Sequence, residues 1–388
     1  MTATARIRLW LFAGAAMLAG AAGAEEATPS LSDRVVELQN TQASVAQGDM
    51  PARAAQVRIL HEIAEAISAA KPEVWKDSKE ARAAIVYLLS GGQPRVLKTL
   101  VDAGQVPKED ERLMKGAIAY QLGREAEARQ LLGDADPRAL GAALGGQVAF
   151  VQGILLSGSD PKKAMEMLDL SRLMMPGGLV EEAALRREMV LVGDAPKDKI
   201  KIMTLAAQYF DRFPKSPYAD YFLKSFTSAL LRSHMAEDVE NFPSFESTTA
   251  SLSRDDRRGL FLTIARAALV AGKIVMADVA STKALTLTQP DSQDETRGRL
   301  YQAGARMLTD QREAGLSQLQ AIDPKKLGKP DQALLAAVRA IARHVYEKSA
   351  EPAANASPPP AGDSVSATIA QSEAGLKKAQ EVINGALP

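Results

Sequence analysis

The sequence predicts an all-α protein, and three observations carry that reading. Apolar residues recur at steps of three and four: Ile59, Leu60, Ile63, Ala66, Ile67 and Ala70 make one stripe, and Leu334, Leu335, Val338, Ile341, Ala342 and Val345 another, as the period of a helix requires. Alanine and leucine dominate while aromatic residues make up 5% of the chain, which favours helices meeting through small residues over sheets. A polar residue followed by proline marks repeated starts at Asp136-Pro137, Asp160-Pro161, Ser216-Pro217 and Asp323-Pro324. There the side-chain oxygen caps free amides and proline takes a position that needs no N–H.

Repetition sharpens the class to an α-solenoid. Residues 117–132, AIAYQLGREAEARQLL, place a helix, a glycine turn and a second helix with alanine and leucine on its inner side, which reads as one tetratricopeptide-like hairpin. Further breaks fall at Gly158, Gly193 and Gly272, with weaker ones near Arg232 and Asp310, a spacing of about 35 to 40 residues. A lone hairpin cannot bury its stripe, and a stacked neighbour supplies the missing wall. Residues 31–350 are therefore expected to form a helical-repeat domain. Within it, residues 209–221 resemble the "YP-x-SPYA" turn of bacterial-envelope tetratricopeptide proteins. Pro214 should stop one helix, Ser216 should cap the next and Pro217 should sit in its first turn. Tyr218 and Tyr221, three apart, then share a face, either packed between hairpins or raised as a binding ridge.

The two ends read differently from the body. Residues 1–24 carry Arg6 and Arg8, an apolar run over 9–18, and Ala22-Gly23-Ala24, the pattern of a signal peptide cleaved between Ala24 and Glu25. The apolar run is shorter than the roughly 20 residues a spanning helix needs, so export to the periplasm without stable membrane insertion is the expectation. Residues 351–363, with Pro358-Pro359-Pro360, read as a Pro/Ala/Ser-rich linker. Residues 364–387 read as a C-terminal amphipathic helix with Val365, Ile369, Leu376, Ala379 and Val382 on one side, serving as a terminal cap or as a hook for a partner.

The chemistry is mostly exclusion. The chain has no cysteine, which removes disulfides, thiol nucleophiles and thiolate metal sites. Its 47 basic and 47 acidic residues balance, so no nucleic-acid or anionic-membrane surface is indicated. His61, His234 and His344 stand alone, without a second ligand at helical spacing. A nucleophile elbow, a phosphate loop and a dinucleotide fingerprint are all missing, and no cofactor is expected. Glu246-Ser247 matches the catalytic dipeptide of lytic transglycosylases, exported helical enzymes that act through a buried carboxyl, but their downstream elements are absent. Arg254-Asp255-Asp256-Arg257-Arg258 reads as a solvated helix start or a docking patch. The run from Glu181 to Glu188 places acids ahead of arginines, as a self-stabilising helix does.

A family resemblance adds what periodicity does not show. Residues 160–188, DPKKAMEMLDLSRLMMPGGLVEEAALRRE, resemble the core of the MotC family of periplasmic motility proteins; residues 85–94, IVYLLSGGQP, are similar to its "Y-x-x-SGG-x-P" segment, and residues 213–221 lie where it carries a comparable turn. The resemblance covers most of residues 31–347. It implies a non-enzymatic protein required for flagellar rotation, whose partner is the periplasmic domain of the stator protein MotB. Because arginine and tyrosine dominate binding hot spots, Arg172, Arg186, Arg187, Tyr218 and Tyr221 are the candidate partner-binding residues. Two other readings stand beside it: a tetratricopeptide-type envelope scaffold coordinating cell-wall or Tol-Pal-like machinery, and, more remotely, a lytic transglycosylase-like enzyme.

Overall fold

The computed structural model describes residues 29–194 and 198–350, with side chains described through His344. The signal-peptide, linker and C-terminal-helix readings lie outside the described residues. Within them the chain is helical throughout, with seventeen α-helices, short 3-10 turns and no strand. The first half runs α1 (Leu31–Ala46), α2 (Met50–Ala69), α3 (Ser78–Leu89), α4 (Pro94–Asp102), α5 (Lys108–Gln121), α6 (Glu125–Leu132), α7 (Ala142–Leu156) and α8 (Pro161–Met174). The second half runs α9 (Leu179–Asp194), α10 (Lys199–Arg212), α11 (Ala219–Arg232), α12 (Phe242–Thr248), α13 (Arg254–Val270), α14 (Ile274–Leu287), α15 (Gln293–Arg306), α16 (Arg312–Ala321) and α17 (Lys329–Ala350).

Helix starts follow the polar side chains. Asp160 accepts from the Lys163 amide and opens α8 with Pro161 in the first turn, as expected. The other three polar-proline pairs behave differently. Asp136-Pro137 and Asp323-Pro324 open 3-10 turns, over Pro137–Leu140 and Pro324–Lys326. Ser216 accepts from the Tyr218 amide at 3.2 Å, and α11 begins only at Ala219. In all three, the side-chain oxygen captures the amide two residues on, which closes a tight turn instead of launching an α-helix. Pro214 does follow the end of α10, where Phe213 is the C-terminal cap.

Helix ends use two devices. At Gly123 and Gly272 the backbone is left-handed, and the next amide reaches a carbonyl five residues back: Arg124 to Ala119 at 2.9 Å and Lys273 to Ala268 at 2.8 Å, a Schellman closure. Elsewhere an arginine of a neighbouring helix donates to the last carbonyls. Arg129 reaches Leu155, Arg232 reaches Gly193, Arg254 reaches Leu287, and Arg339 reaches Leu319 and Ile322, all at 2.7–3.1 Å. The cation meets the negative end of the helix dipole and satisfies carbonyls that have no intrahelical donor. Gly193, expected as a break, lies inside the last turn of α9, where a Cβ would meet Arg232 Nη2 at 2.9 Å and Ala229 Cβ at 3.2 Å. Its smallness serves close packing on α11.

Packing follows an alternating order. The odd-numbered helices form a row in which α1 touches α3, α3 touches α5 and α7, and α7, α9, α11, α13, α15 and α17 each touch the next. The even-numbered α2, α6, α8, α10, α14 and α16 each lie on the odd helix before them. Two apolar cores result, one from α1 to α7 around Trp75 and Tyr87, the other from α9 to α17 around Tyr209, Phe210 and Phe222. Between them α7 and α8 meet through small residues: a Cβ on Gly153 would lie 2.7 Å from Leu168 Cγ, and Ser171 donates to the Gly146 carbonyl at 2.9 Å. One contact departs from nearest-neighbour order. α1 also touches α9, and Gly48, just beyond α1, lies against the carbonyl of Lys215 in the turn before α11.

Gly48 and Gly272 both have positive φ, but only at Gly48 does a Cβ strike backbone; at Gly272 nothing lies within 4 Å. Gly272→Ala should cost roughly 1–2 kcal/mol for the left-handed conformation alone. Gly48→Ala should cost about 1–3 kcal/mol more, because the Lys215 carbonyl must move. Urea midpoints of the two variants measure the difference; equal losses would mean that the contact with Lys215 contributes nothing.

Candidate partner-binding groove

The site is built on α9, whose sequence gives it two unlike faces. Leu185, Met189 and Val192 point into the second core. Ala183, Arg186, Arg187 and Val190, at steps of three and four, form an outward stripe that lines a hollow of about 160 Å³ with Phe150 and Ile154 of α7 and Tyr221 of α11. A second hollow of about 210 Å³ shares Phe150, Ala183 and Arg186 with the first and extends to Tyr218. Its far wall is Gln42 of α1, Gln56 of α2, Ser90 at the end of α3 and Gln147 of α7. The two hollows adjoin at Phe150, Ala183 and Arg186 and make one groove.

Buried carboxylates on α9 hold the groove in shape. Glu182, fully buried, accepts from Arg186 Nε at 2.9 Å, from the Tyr209 hydroxyl at 2.6 Å and from Ser216 Oγ at 3.2 Å. So oriented, the Arg186 guanidinium lies 4.3 Å from the centre of the Tyr218 ring, a cation–π contact. Tyr209 is itself clamped flat on Phe222, with ring centroids 3.7 Å apart. Burial, then the charge of Glu182, pushes its phenol far above the usual range, so it remains a donor. Glu181 accepts from Gln208 at 2.8 Å and Arg212 at 2.6 Å. Both acids thus join α9 to α10, and Glu182 also joins it to the turn that carries Tyr218.

The five candidate residues separate into two groups. Arg186, Arg187, Tyr218 and Tyr221 come together on the groove; the tyrosines are 40% and 53% exposed, so their rings are not packed away between hairpins. Arg187 contacts Ser157 Oγ at 3.4 Å. Arg172 lies apart from them and is 13% exposed. Its guanidinium binds Asp169, Glu188 and Gln208, with Glu188 at 2.7 Å, so it ties α8 to α9 and α10. The four groove residues lie within 36 positions of one another, and helical spacing alone could pair them. Gln42, Gln56, Gln147 and Phe150 were missed, because no local pattern brings α1, α2 and α7 to α9. The amides are held in place: Gln42 donates to the Ser90 carbonyl at 3.0 Å and Gln147 to Ser90 Oγ at 3.1 Å.

The other candidates have structural partners. Glu246 is 36% exposed and 2.5 Å from Lys283, unlike the secluded carboxyl that a general acid needs. In the 254–258 cluster, Arg258 bridges Asp255 at 2.6 Å and Asp294 at 2.7 Å, joining α13 to α15. Asp331 of α17 accepts from Tyr301 at 2.7 Å and Arg297 at 3.1 Å. His61 and His234 each face a nearby glutamate, and no group of three potential metal ligands occurs among the described residues.

Tyr209→Phe leaves buried Glu182 without its shortest donor and should cost about 1–3 kcal/mol, read from the urea midpoint. Glu188, fully buried beside Arg172 and Asp169, is pushed from 4.5 to about 7, chiefly by burial. Between those values the native state binds more protons than the unfolded chain, so stability falls as pH rises through the window, and the loss is complete above it. The opposing group, Asp169, feels burial first, yet Lys201 and Arg172 outweigh it and hold its carboxyl low; the stability it adds is lost only at more acid pH. Urea midpoints should therefore decline between about pH 5 and pH 8, and Glu188→Gln should flatten that decline. A wild-type midpoint that rises over this range would refute the assignment.

Comparison with known proteins agrees with the sequence resemblance and extends it. The family model described as "Chemotaxis protein MotC" matches residues 1–386, and so takes in both termini as well as the helical body. The chain is 31% identical over 365 residues to Chemotaxis protein MotC of Rhizobium meliloti (strain 1021), across 92% of this chain and 83% of that protein. No solved structure matches it. A match over the whole helical body and a relative of this identity and coverage establish that the chain belongs to the MotC family of chemotaxis proteins.

Proposed function

We propose that the chain is an exported, non-enzymatic protein required for flagellar rotation, and that it binds the periplasmic domain of the stator protein MotB through the groove around Arg186. The observation that carries this reading is the convergence on one exposed surface of two arginines, two tyrosines and a phenylalanine with fixed amides behind them. Such a surface offers exposed aromatic anchors for a partner to desolvate, with polar groups beside them, the composition in which binding energy concentrates. The row of odd-numbered helices with even-numbered partners supports an α-solenoid of tetratricopeptide-like hairpins, a frame whose neighbour-to-neighbour packing presents extended surfaces. Periplasmic action rests on the signal-peptide pattern of residues 1–24, and no described helix is long and apolar enough to cross a membrane.

Variants must separate binding from folding. Arg186 neutralises buried Glu182, so Arg186→Glu should damage the fold along with the surface. Arg187→Glu and Tyr221→Ala remove groove groups without uncovering a buried acid. Each should weaken capture of the MotB periplasmic domain about 10- to 100-fold, with urea midpoints close to wild type. Unchanged capture by both variants would remove the groove from the proposal. A deletion strain should spread poorly on motility agar with normal cell shape, whereas altered shape with intact motility would favour the envelope-scaffold reading. N-terminal sequencing of the secreted protein should begin at Glu25.

A further inference from the structure

Among the described residues the row of helices ends at α17, and a hollow lies at its last pair. Between α16 and α17 lies a cavity of about 630 Å³ with Leu316, Leu319 and Ala342 as its apolar floor and Gln320, Arg339 and Arg343 around it. In a stack of helix pairs each apolar face is closed by the next pair, and the final face needs a cap. The chain supplies 38 further residues after Ala350. Their last part carries Val365, Ile369, Leu376, Ala379 and Val382 at roughly helical spacing, and its two acids, Glu373 and Glu381, are balanced by Lys377 and Lys378.

We propose that residues 364–387 of the same chain dock in this hollow and form the terminal cap of the helical array. Reach is ample. Arg343 lies seven positions before Ala350, about 10 Å along a helix, and the 13-residue linker spans up to about 40 Å if extended. Tethering at that length gives an effective concentration in the millimolar range, so a modest apolar contact suffices, and the intramolecular partner outcompetes a second copy at ordinary protein concentrations.

The absence of cysteine makes a direct test possible in the full-length exported chain. Spin labels at Gln320→Cys and Lys377→Cys should give one narrow, short distance population. Adding Leu376→Asp should deplete that population about tenfold, as loss of one buried leucine side chain predicts. A broad, long distribution in the doubly labelled chain overturns the proposal, as does a short population indifferent to Leu376→Asp. Mixing chains labelled singly at the two positions gives the last arm: a short distance between separate molecules would assign the hollow to a second copy and refute the cap.

Discussion

The arrangement around α9 depends on burying three acids on one helix, two with close donors and a third, Glu188, whose burial outweighs the Arg172 beside it. Glu181, Glu182 and Glu188 are withdrawn from water, and each such group is costly in a low-dielectric interior unless paired and hydrogen-bonded. Their donors come from α8, from α10 and from the turn before α11. Satisfying the acids therefore fixes where those elements sit. The outward stripe of α9 inherits that order: Arg186 is aimed by Glu182, and Tyr218 is placed by Ser216, which binds the same carboxylate. Ionic bonds of this kind add little net stability over an apolar replacement, but they make a wrong arrangement expensive.

Elsewhere the same economy recurs with other groups. Glu80 accepts from Ser32 across α1 and α3, Asp110 from Arg82 across α3 and α5, and Asp331 from Tyr301 and Arg297 across α15 and α17. Three joints between odd-numbered helices thus carry one buried acid with donors from the adjacent element. Apolar stripes alone would let helices slide by a turn, since alanine and leucine faces are alike from hairpin to hairpin. A sunken carboxylate has few acceptable partners, so it sets the register that the apolar surface leaves free.

Much of the fold was legible because its signals are local. The stripe at Ile59, Ile63 and Ile67 needs only a run of residues to be read, and all three are buried. The glycine turn at Gly123 and the Asp160 cap are likewise short-range. What failed was the distinction between turn types: Asp136, Ser216 and Asp323, like Asp160, each offer a side-chain oxygen ahead of a proline, but theirs captures the second following amide and that of Asp160 the third. The site was half legible. Arg186 and Arg187 stood out in a charged run, and Tyr218 and Tyr221 in a proline turn. Arg172 belongs to the same chemical class yet faces inward, because neighbouring acids on α8 and α9 claim it. The glutamines of α1, α2 and α7 carry no signal in sequence, since their relation to α9 is purely tertiary.

The meeting of Gly48 with Lys215 has a temporal meaning. A polypeptide delivered from its amino terminus can assemble its early hairpins as they emerge, each on the one before. The surface that gathers Gln42, Arg186 and Tyr221 is different, because its rear wall is made first and its front wall some 180 positions afterwards. A molecule that stops before Tyr221 lacks part of it. Chains that stop short of α11 therefore lack this surface, and its two walls come together only after the helices between them have been laid down.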